Sequence, residues 1–353
     1  MERRRDRPRI ADVARAAGVS KTAVSFAFNA PERLSAETAG RIRDVADSLG
    51  YRPNPLARML TQSETMTLGV LTPQPLGVMF ANPFFAQFSE GVADAAAELG
   101  YELHFISPLH GSLGRAMGRT TVDGVVAIGL AAAHPEVGQI EAVGLPMVLV
   151  DSDDLAGHSS VAVDDEAGAR AAAEHLVTLG HRDILVLAVD SPATATAGPR
   201  ARGVMDRRLA AYRSALARAG VVLGKDRVVA GPATIDGGAA AFRDAWAAGA
   251  RPTAVLAMSD AMAIGAMRAA RQHRLHIPED LSVVGFDDID LAADLDPALT
   301  TVHQPIREKG ATAVRLLVRA ISDGGGSKRV TLETHLVVRA STAAPTRTGD
   351  VPS

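Results

Sequence analysis

The chain has 353 residues, with 37 Lys and Arg against 40 Asp and Glu, and no Cys. That length exceeds one small core and suits a small domain beside a larger one, while the missing cysteine excludes disulfides, thiolate metal sites and cysteine nucleophiles. The net charge of −3 is unevenly spread: Met1–Ser63 holds 12 basic and 7 acidic residues, which leaves the remainder at −8, and a basic head on an acidic body is the electrostatic footprint of a DNA reader.

Residues 1–9 form a basic tail with no apolar segment, against a secretory leader. No apolar run reaches the roughly 20 residues of a membrane span. A soluble cytoplasmic protein is expected. Residues 10–52 then predict a helix-turn-helix domain. Ile10, Val13, Ala14 and Ala17 fall on one face of a first helix, at spacings of three and four. Gly18 suits the left-handed residue that ends it, and Ser20 is a good N-cap for a second helix running to about Phe28. Ala23, Val24 and Ala27 are available for packing there, leaving Lys21, Thr22, Ser25 and Phe26 facing out at the end that approaches DNA. A third helix, from near Ser35 to Gly50, carries the apolar stripe Ala39, Ile42, Val45, Ala46 and Leu49.

Residues 53–65 read as a hinge and linker. Pro53 and Pro55 break the chain, and Leu56–Leu60 is one or two helical turns too short to stand alone. Its apolar residues fit either a minor-groove wedge or an ordinary linker helix packed on its own body.

From Met66 onward apolar strands alternate with amphipathic helices. Strands are expected at 67–72, 101–106, 124–128, 147–150, 184–188, 254–257 and 281–284. Helices are expected at 82–100, with Phe85, Phe88, Val92, Ala95, Ala96 and Leu99 inward, and at about 166–179, 208–219, 237–248 and 261–271. This pattern means parallel sheets covered on both faces, and ligands of such sheets collect at the carboxyl ends of the strands. No Gly-rich phosphate loop, nucleophile elbow or His/Glu metal spacing occurs, so no enzyme activity and no cofactor are expected. The adjacent carboxylates Asp164-Asp165 and Asp287-Asp288 are read as loop caps or binders of a polar ligand, and His175, His181 and His303 as structural or solvated.

The head motif Asp12-Val13-Ala14, Ala17-Gly18-Val19-Ser20, Val24-Ser25, Asn29, Leu34-Ser35, Thr38 and Leu49-Gly50-Tyr51 with Pro53-Asn54 resembles the headpiece of the lactose-repressor (LacI/GalR) family without a gap from Ile10 to Leu60. The likeness extends through the body and tightens in its last third, at Ser259-Asp260 with Met262-Ala263, at Ile277-Pro278 with Asp280 through Asp288, and at Pro297 through Gln304-Pro305.

The resemblance implies an all-α helix-turn-helix headpiece plus an α/β, periplasmic-binding-protein-like core of two parallel-sheet subdomains, spanning 66–345 before a short tail at 346–353. The N-subdomain is expected at about 66–164 plus 303–325 and the C-subdomain at about 165–302 plus 326–345. Crossovers then fall near Asp164, Thr301 and Gly324–Gly326.

It further implies a homodimer on a pseudo-palindromic operator, most often as a repressor, with a small-molecule effector, carbohydrate in kind, in the cleft between subdomains. Ser20, Ser25, Asn29, Thr38 and Asn54 would contact phosphates. Lys21, Thr22 and Phe26 would face the groove, and Ala57 and Leu60 would belong to a hinge helix with Leu60 as the intercalating lever. Phe84, Phe85, Asp151, Arg202, Arg208, Ser259, Asp287 and Gln304 would form the effector site.

Several positions depart from the family pattern. Phe26 stands where an Arg is usual, which replaces bidentate reading of guanine by apolar contact. Arg9 stands where a Thr usually opens the first helix. Ala233-Thr234-Ile235 offers no aromatic to stack on an effector, Ser259 replaces an Asn, and the segment from Ser191 to Arg207 is longer and rich in Ala, Thr and Arg. After Val338 no leucine heptads announce a tetramerisation helix. The alternative, a cytoplasmic sugar-binding protein or sugar enzyme on the same core, has no need of Ile10–Leu60.

Overall fold

Three short helices build the head. The first, α1 (Ile10–Ala17), opens after Arg9, whose side chain caps nothing; instead the Asp12 carboxylate accepts the Arg9 backbone N–H at 2.9 Å. Gly18 ends the helix at φ 66°, a left-handed turn that a side chain would strain. Ser20 then caps α2 (Lys21–Asn29), its Oγ accepting the Ala23 N–H at 3.1 Å. A single 3₁₀ turn (Pro31–Arg33) leads to α3 (Ala36–Leu49), capped by Ser35 Oγ on the Thr38 N–H at 3.2 Å.

Val13, Val24, Ala27 and Ile42 are completely buried where the three helices meet. Each branched side chain among them contributes about 1.5–3 kcal/mol. The expected stripe on α3 is corrected at its end. Leu49 is 41% exposed, because the chain reverses at Gly50 and Tyr51 folds back into the core, its N–H bonded to the Ala46 carbonyl at 2.8 Å and its ring tilted against Phe28.

The computed structural model describes residues 8–52, 64–132, 134–152, 155–190, 203–324 and 326–346, in two units, Met1–Met66 and Thr67–Ser353. The expected hinge helix at Leu56–Leu60 lies outside the described residues. No described helix is long and apolar enough to cross a membrane.

The second unit begins with β1 (Thr67–Leu71), α4 (Leu76–Phe80), α5 (Pro83–Glu98), β2 (Glu102–Ile106), α6 (Leu113–Met117), β3 (Gly124–Ile128), α7 (Val137–Glu141), β4 (Met147–Val150) and β5 (Ser159–Val163). There follow α8 (Asp165–Leu179), β6 (Ile184–Val189), α9 (Val204–Arg218), β7 (Val228–Gly231), α10 (Ile235–Ala247), β8 (Ala254–Ala257), α11 (Asp260–Gln272) and β9 (Ser282–Val284). The last elements are α12 (Leu291–Asp294), β10 (Thr301–His303), α13 (Ile306–Asp323), β11 (Arg329–Leu332) and β12 (His335–Val337).

Two parallel sheets result, ordered β11-β5-β4-β3-β1-β2 and β7-β6-β8-β9. Alternate residues of each strand face opposite layers. On β6, Leu185 and Leu187 pack toward α10 and α11, whereas Ile184 and Val186 pack toward α8 and α9. This is why strands buried on both faces read as continuous apolar runs.

Helix pairs pack backbone to backbone where glycines permit. A Cβ on Gly265 of α11 would collide with the Ile235 carbonyl of α10, and one on Gly91 of α5 with the Arg307 carbonyl of α13.

The chain crosses between sheets after β5, at Gln304-Pro305 after β10, and at Glu333-Thr334 after β11. The last position corrects the expected crossover at Gly324–Gly326. Gly324 does end α13 at φ 58°, but the chain then adds β11 to the edge of the first sheet beside β5 before it leaves. Only after Thr334 does β12 pair antiparallel with β10. Leu99 is likewise corrected: it follows the end of α5 and is 42% exposed.

Candidate functional site

The outward surface of α2 is set by its cap and its packing. Burying Val24 and Ala27 turns Lys21 and Thr22 to solvent and leaves Ser25, Phe26 and Asn29 half-buried. Asn29 Nδ2 donates to Ser25 Oγ at 3.2 Å, Ser35 Oγ donates to Thr38 Oγ1 at 2.8 Å, and Arg43 Nε ties α3 to the Ala27 carbonyl at 3.2 Å. The helix N-terminus, with the Lys21 charge beside it, presents positive potential to a phosphate backbone. Asn54, Ala57 and Leu60, expected to share this surface, lie outside the described residues.

In the body, four of the eight residues expected to hold an effector, Asp151, Arg208, Asp287 and Gln304, converge on one buried polar chain. Asp165, at the start of α8, accepts Arg208 Nε at 2.8 Å and Arg207 at 2.9 Å. Arg208, on α9, also donates to the Met258 carbonyl at 2.8 Å. Its guanidinium lies 3.5 Å from the centroid of the Phe286 ring and 4.0 Å from Asp287 Oδ1. Asp287 follows β9 at φ 129°, and its Oδ1 accepts Gln304 Nε2 at 2.6 Å. Gln304 Oε1 accepts from Lys309, whose Nζ donates to Asp151 Oδ2 at 2.7 Å, just past β4. The chain thus runs from the second sheet, through the crossover at Gln304, to the carboxyl end of the first.

Sequence reasoning missed Lys309. The signal was present: α13 carries the stripe Ile306, Gly310, Ala313, Val314 and Leu317, and a lysine three residues after Ile306 sits within it. A fully buried ammonium persists only when paired, and Lys309 has Asp151, Gln304 and the Phe84 ring, whose centroid is 5.3 Å from Nζ.

The electrostatics follow from burial. Desolvation raises the Asp287 carboxyl above the usual range, repulsion from Asp260 adds to the shift, and Arg208 and the Gln304 amide partly offset it. Desolvation also raises Asp260, against hydrogen bonds from the Thr301 hydroxyl at 2.5 Å and the Ile289 N–H at 2.9 Å. Burial alone disfavours the Arg208 charge, but Asp165 and Asp287 more than reverse this.

Near this chain lies a cavity of about 420 Å³ at the carboxyl ends of strands from both sheets. Gln74, Asn82 and Phe85 line it from one side and Val189, Asp190 and Ala233 from the other. Of the expected effector residues, Phe85 alone is among its lining side chains. Phe84 lies behind it, edge-on at 5.3 Å between ring centroids, and beside Lys309. Ser259 is spent as the N-cap of α11, its Oγ accepting the Met262 N–H at 3.3 Å, and Arg202 lies outside the described residues. Gln74, Asn82 and Asp190 were not anticipated, because short polar residues in loops carry no periodicity.

The remaining candidates have structural work. Asp164 caps α8 through the Ala167 N–H at 2.9 Å, and Asp288 pairs with His303 at 2.9 Å and Arg339 at 2.6 Å. His175 meets Thr342, and His181 meets Thr253, Ser282 and the Ala343 carbonyl, each at about 3 Å; burial lowers both imidazole pKa values. Among the described residues no cluster of three metal-ligating side chains occurs.

Comparison with known proteins places this geometry. The model of bacterial regulatory proteins of the lacI family matches residues 9–54, and that of a periplasmic binding protein-like domain matches residues 173–342. The HTH-type transcriptional regulator CelR of Thermobifida fusca is 34% identical, covering 97% of this chain and 100% of its own. The HTH-type transcriptional repressor PurR of Vibrio campbellii is 31% identical, covering 94% and 97%.

Among solved structures, the CelR–cellobiose complex has a TM-score of 0.67 at 32% identity, covering 95% of this chain and 100% of that one. The lac repressor dimer bound to operator and the anti-inducer ONPF has a TM-score of 0.79 at 28% identity, covering 96% and 99%. With its helix-turn-helix first in sequence and two parallel sheets after it, the chain belongs to the LacI family and is a DNA-binding transcriptional regulator.

Proposed function

We propose that this regulator binds a pseudo-palindromic operator as a homodimer in the cytoplasm and answers to a carbohydrate held between the two sheets of Thr67–Ser353. The observation that carries the ligand reading is Asp151. Its Oδ2 is tied to Lys309, yet its Oδ1 is buried without a hydrogen-bond partner among the described residues. A stranded acceptor costs about 1–3 kcal/mol, and a ligand hydroxyl satisfies it. A sugar offers hydroxyls for Asp151, Arg208, Asp287 and Gln304, and an apolar face for Phe85, with Phe84 packed behind it. The solved CelR complex with cellobiose supports the same class.

On the DNA side, Ser20, Lys21, Thr22, Ser25, Phe26, Asn29 and Thr38 form the contact surface. One head reads one half-site, so two-fold symmetry in the protein calls for two-fold symmetry in the operator. The lac repressor dimer bound to operator supports this arrangement.

Thermal-shift measurements on the full chain with a panel of sugars, cellobiose and ribose among them, test the ligand reading. One sugar raises the melting temperature of the native protein, and Asp151→Asn and Arg208→Lys reduce that shift. The responding sugar changes operator affinity, and operator changes sugar affinity, by the same factor. A panel without response, or a shift unaltered in both variants, counts against the reading.

A further inference from the structure

The head contains an aromatic–cation pair on the side of α2 that is free of the helical core. Thr22 and Phe26, four residues apart, lie in one row along the helix, and Phe26 is half-buried rather than part of the apolar centre. Arg33, the last residue of the 3₁₀ turn that follows α2, is exposed, and its Cζ lies 5.2 Å from the Phe26 ring centroid. Its side chain has no hydrogen bond or carboxylate partner among the described residues. By contrast Arg15 pairs with Asp12, Arg43 donates to the Ala27 carbonyl, and Arg52 pairs with Asp47.

We propose that Arg33 is the base-reading cation of this head and that Phe26 is the platform that holds it, aimed at a guanine in each half-site. This deepens the DNA-binding reading above. A phenylalanine at an outward position of a recognition helix donates no hydrogen bond, but its face attracts a guanidinium within about 6 Å. The stack restricts a flexible side chain before DNA arrives and leaves all five N–H donors in the guanidinium plane free. That planar fork matches O6 and N7 of guanine, whereas the point charge of Lys21 does not. Pro31 supports the placement by restricting φ at the first residue of the turn that carries Arg33. Specificity in this head therefore comes from two residues acting together, one at the last turn of the helix and one beyond it.

Selection of binding sites from random-sequence duplex DNA by the full chain tests this. The native protein is expected to prefer guanine about tenfold at one position of each half-site, within the discrimination typical of a bidentate pair. Arg33→Ala and Arg33→Lys lose that preference while the other positions keep theirs. Phe26→Tyr retains it and Phe26→Leu loses it at the same position, which separates a platform from a mere filler of space.

An Arg33→Ala variant that binds all sequences more weakly with its consensus intact makes Arg33 a phosphate contact and overturns the proposal. A Phe26→Leu variant with unchanged guanine preference overturns the platform. A native chain that selects no sequence overturns the DNA reading itself.

Discussion

Lys309 Nζ, completely buried on α13, lies 2.7 Å from Asp151 Oδ2 at the end of β4. The pair joins a helix that follows the second crossover to a strand laid down more than 150 residues earlier. It leaves the other Asp151 oxygen, Oδ1, buried without a hydrogen-bond partner among the described residues.

Removing one partner of such a pair strands a buried charge, which costs about 3–5 kcal/mol. Lys309→Met and Asp151→Leu are each expected to destabilise the body by that order in chemical denaturation. The double variant is expected to recover much of the loss, so that a double-mutant cycle reports strong coupling. Additive losses would mean that the pair is not a unit.

Asp287 gives a pH test. Its carboxyl is raised in the folded chain by burial, so the native state holds the proton more tightly than the unfolded state does. Its contribution to stability is present below the ordinary carboxyl range and is lost as pH rises toward the folded value. Asp287→Asn keeps an acceptor for Gln304 but removes the titration. The stability difference, native minus variant, is expected to fall as pH rises from 4 toward neutrality. His175 and His181, lowered by burial, act in the opposite sense, so the difference between proteins carries the test rather than the slope of either. A difference independent of pH would refute it.

Gly265 and Gly91 test the helix contacts that shape the body. Gly265→Ala sets a methyl group against the Ile235 carbonyl, and Gly91→Ala sets one against the Arg307 carbonyl. Because backbone, unlike the end of a flexible side chain, does not yield easily, each substitution is expected to cost at least about 1–3 kcal/mol. Gly138→Ala, with nothing within 4 Å of the added atom, serves as the control. Equal melting temperatures for all three would show that the helices separate freely.

Ser20 caps α2, the helix proposed to face DNA, so Ser20→Ala is expected to destabilise the head by about 0.5–2 kcal/mol and to weaken operator binding. Ser20→Asp restores the cap acceptor but sets a negative charge where phosphate approaches. Head stability therefore recovers in thermal unfolding while operator affinity does not. If affinity returned together with stability, Ser20 would be a cap and not a phosphate contact.

Much of the head was legible as letters because its signals are local. A cap serine, a left-handed glycine and an apolar face at spacings of three and four each involve neighbours within one turn. They located α1, α2 and α3 to within a residue or two. The same locality explains the error at Leu49: periodicity carried the stripe one residue too far, and only the reversal at Gly50 brings Tyr51 into the core instead. In the body, continuous apolar runs betrayed strands buried on both faces, such as β3 and β8. β5 and β11 escaped because their alternation is short and partly polar. With β11 unseen, the third crossover was placed at a glycine run rather than after Thr334.

By itself the sequence determined the class of partner, the caps and packing faces of the first three helices, the parallel-sheet body and most members of the buried polar chain. Tertiary structure decided what those members do. Asp165 and Asp287 flank Arg208 although more than 40 residues separate each from it, and Lys309 turns inward only because α13 packs over the end of β4. Phe26 acquires a cation only because a 3₁₀ turn folds Arg33 back over its ring. Around Asp151, Asp165, Arg208, Asp287 and Lys309 the outcome depends on desolvated charge meeting its partner across the fold, and no spacing along the chain encodes that meeting.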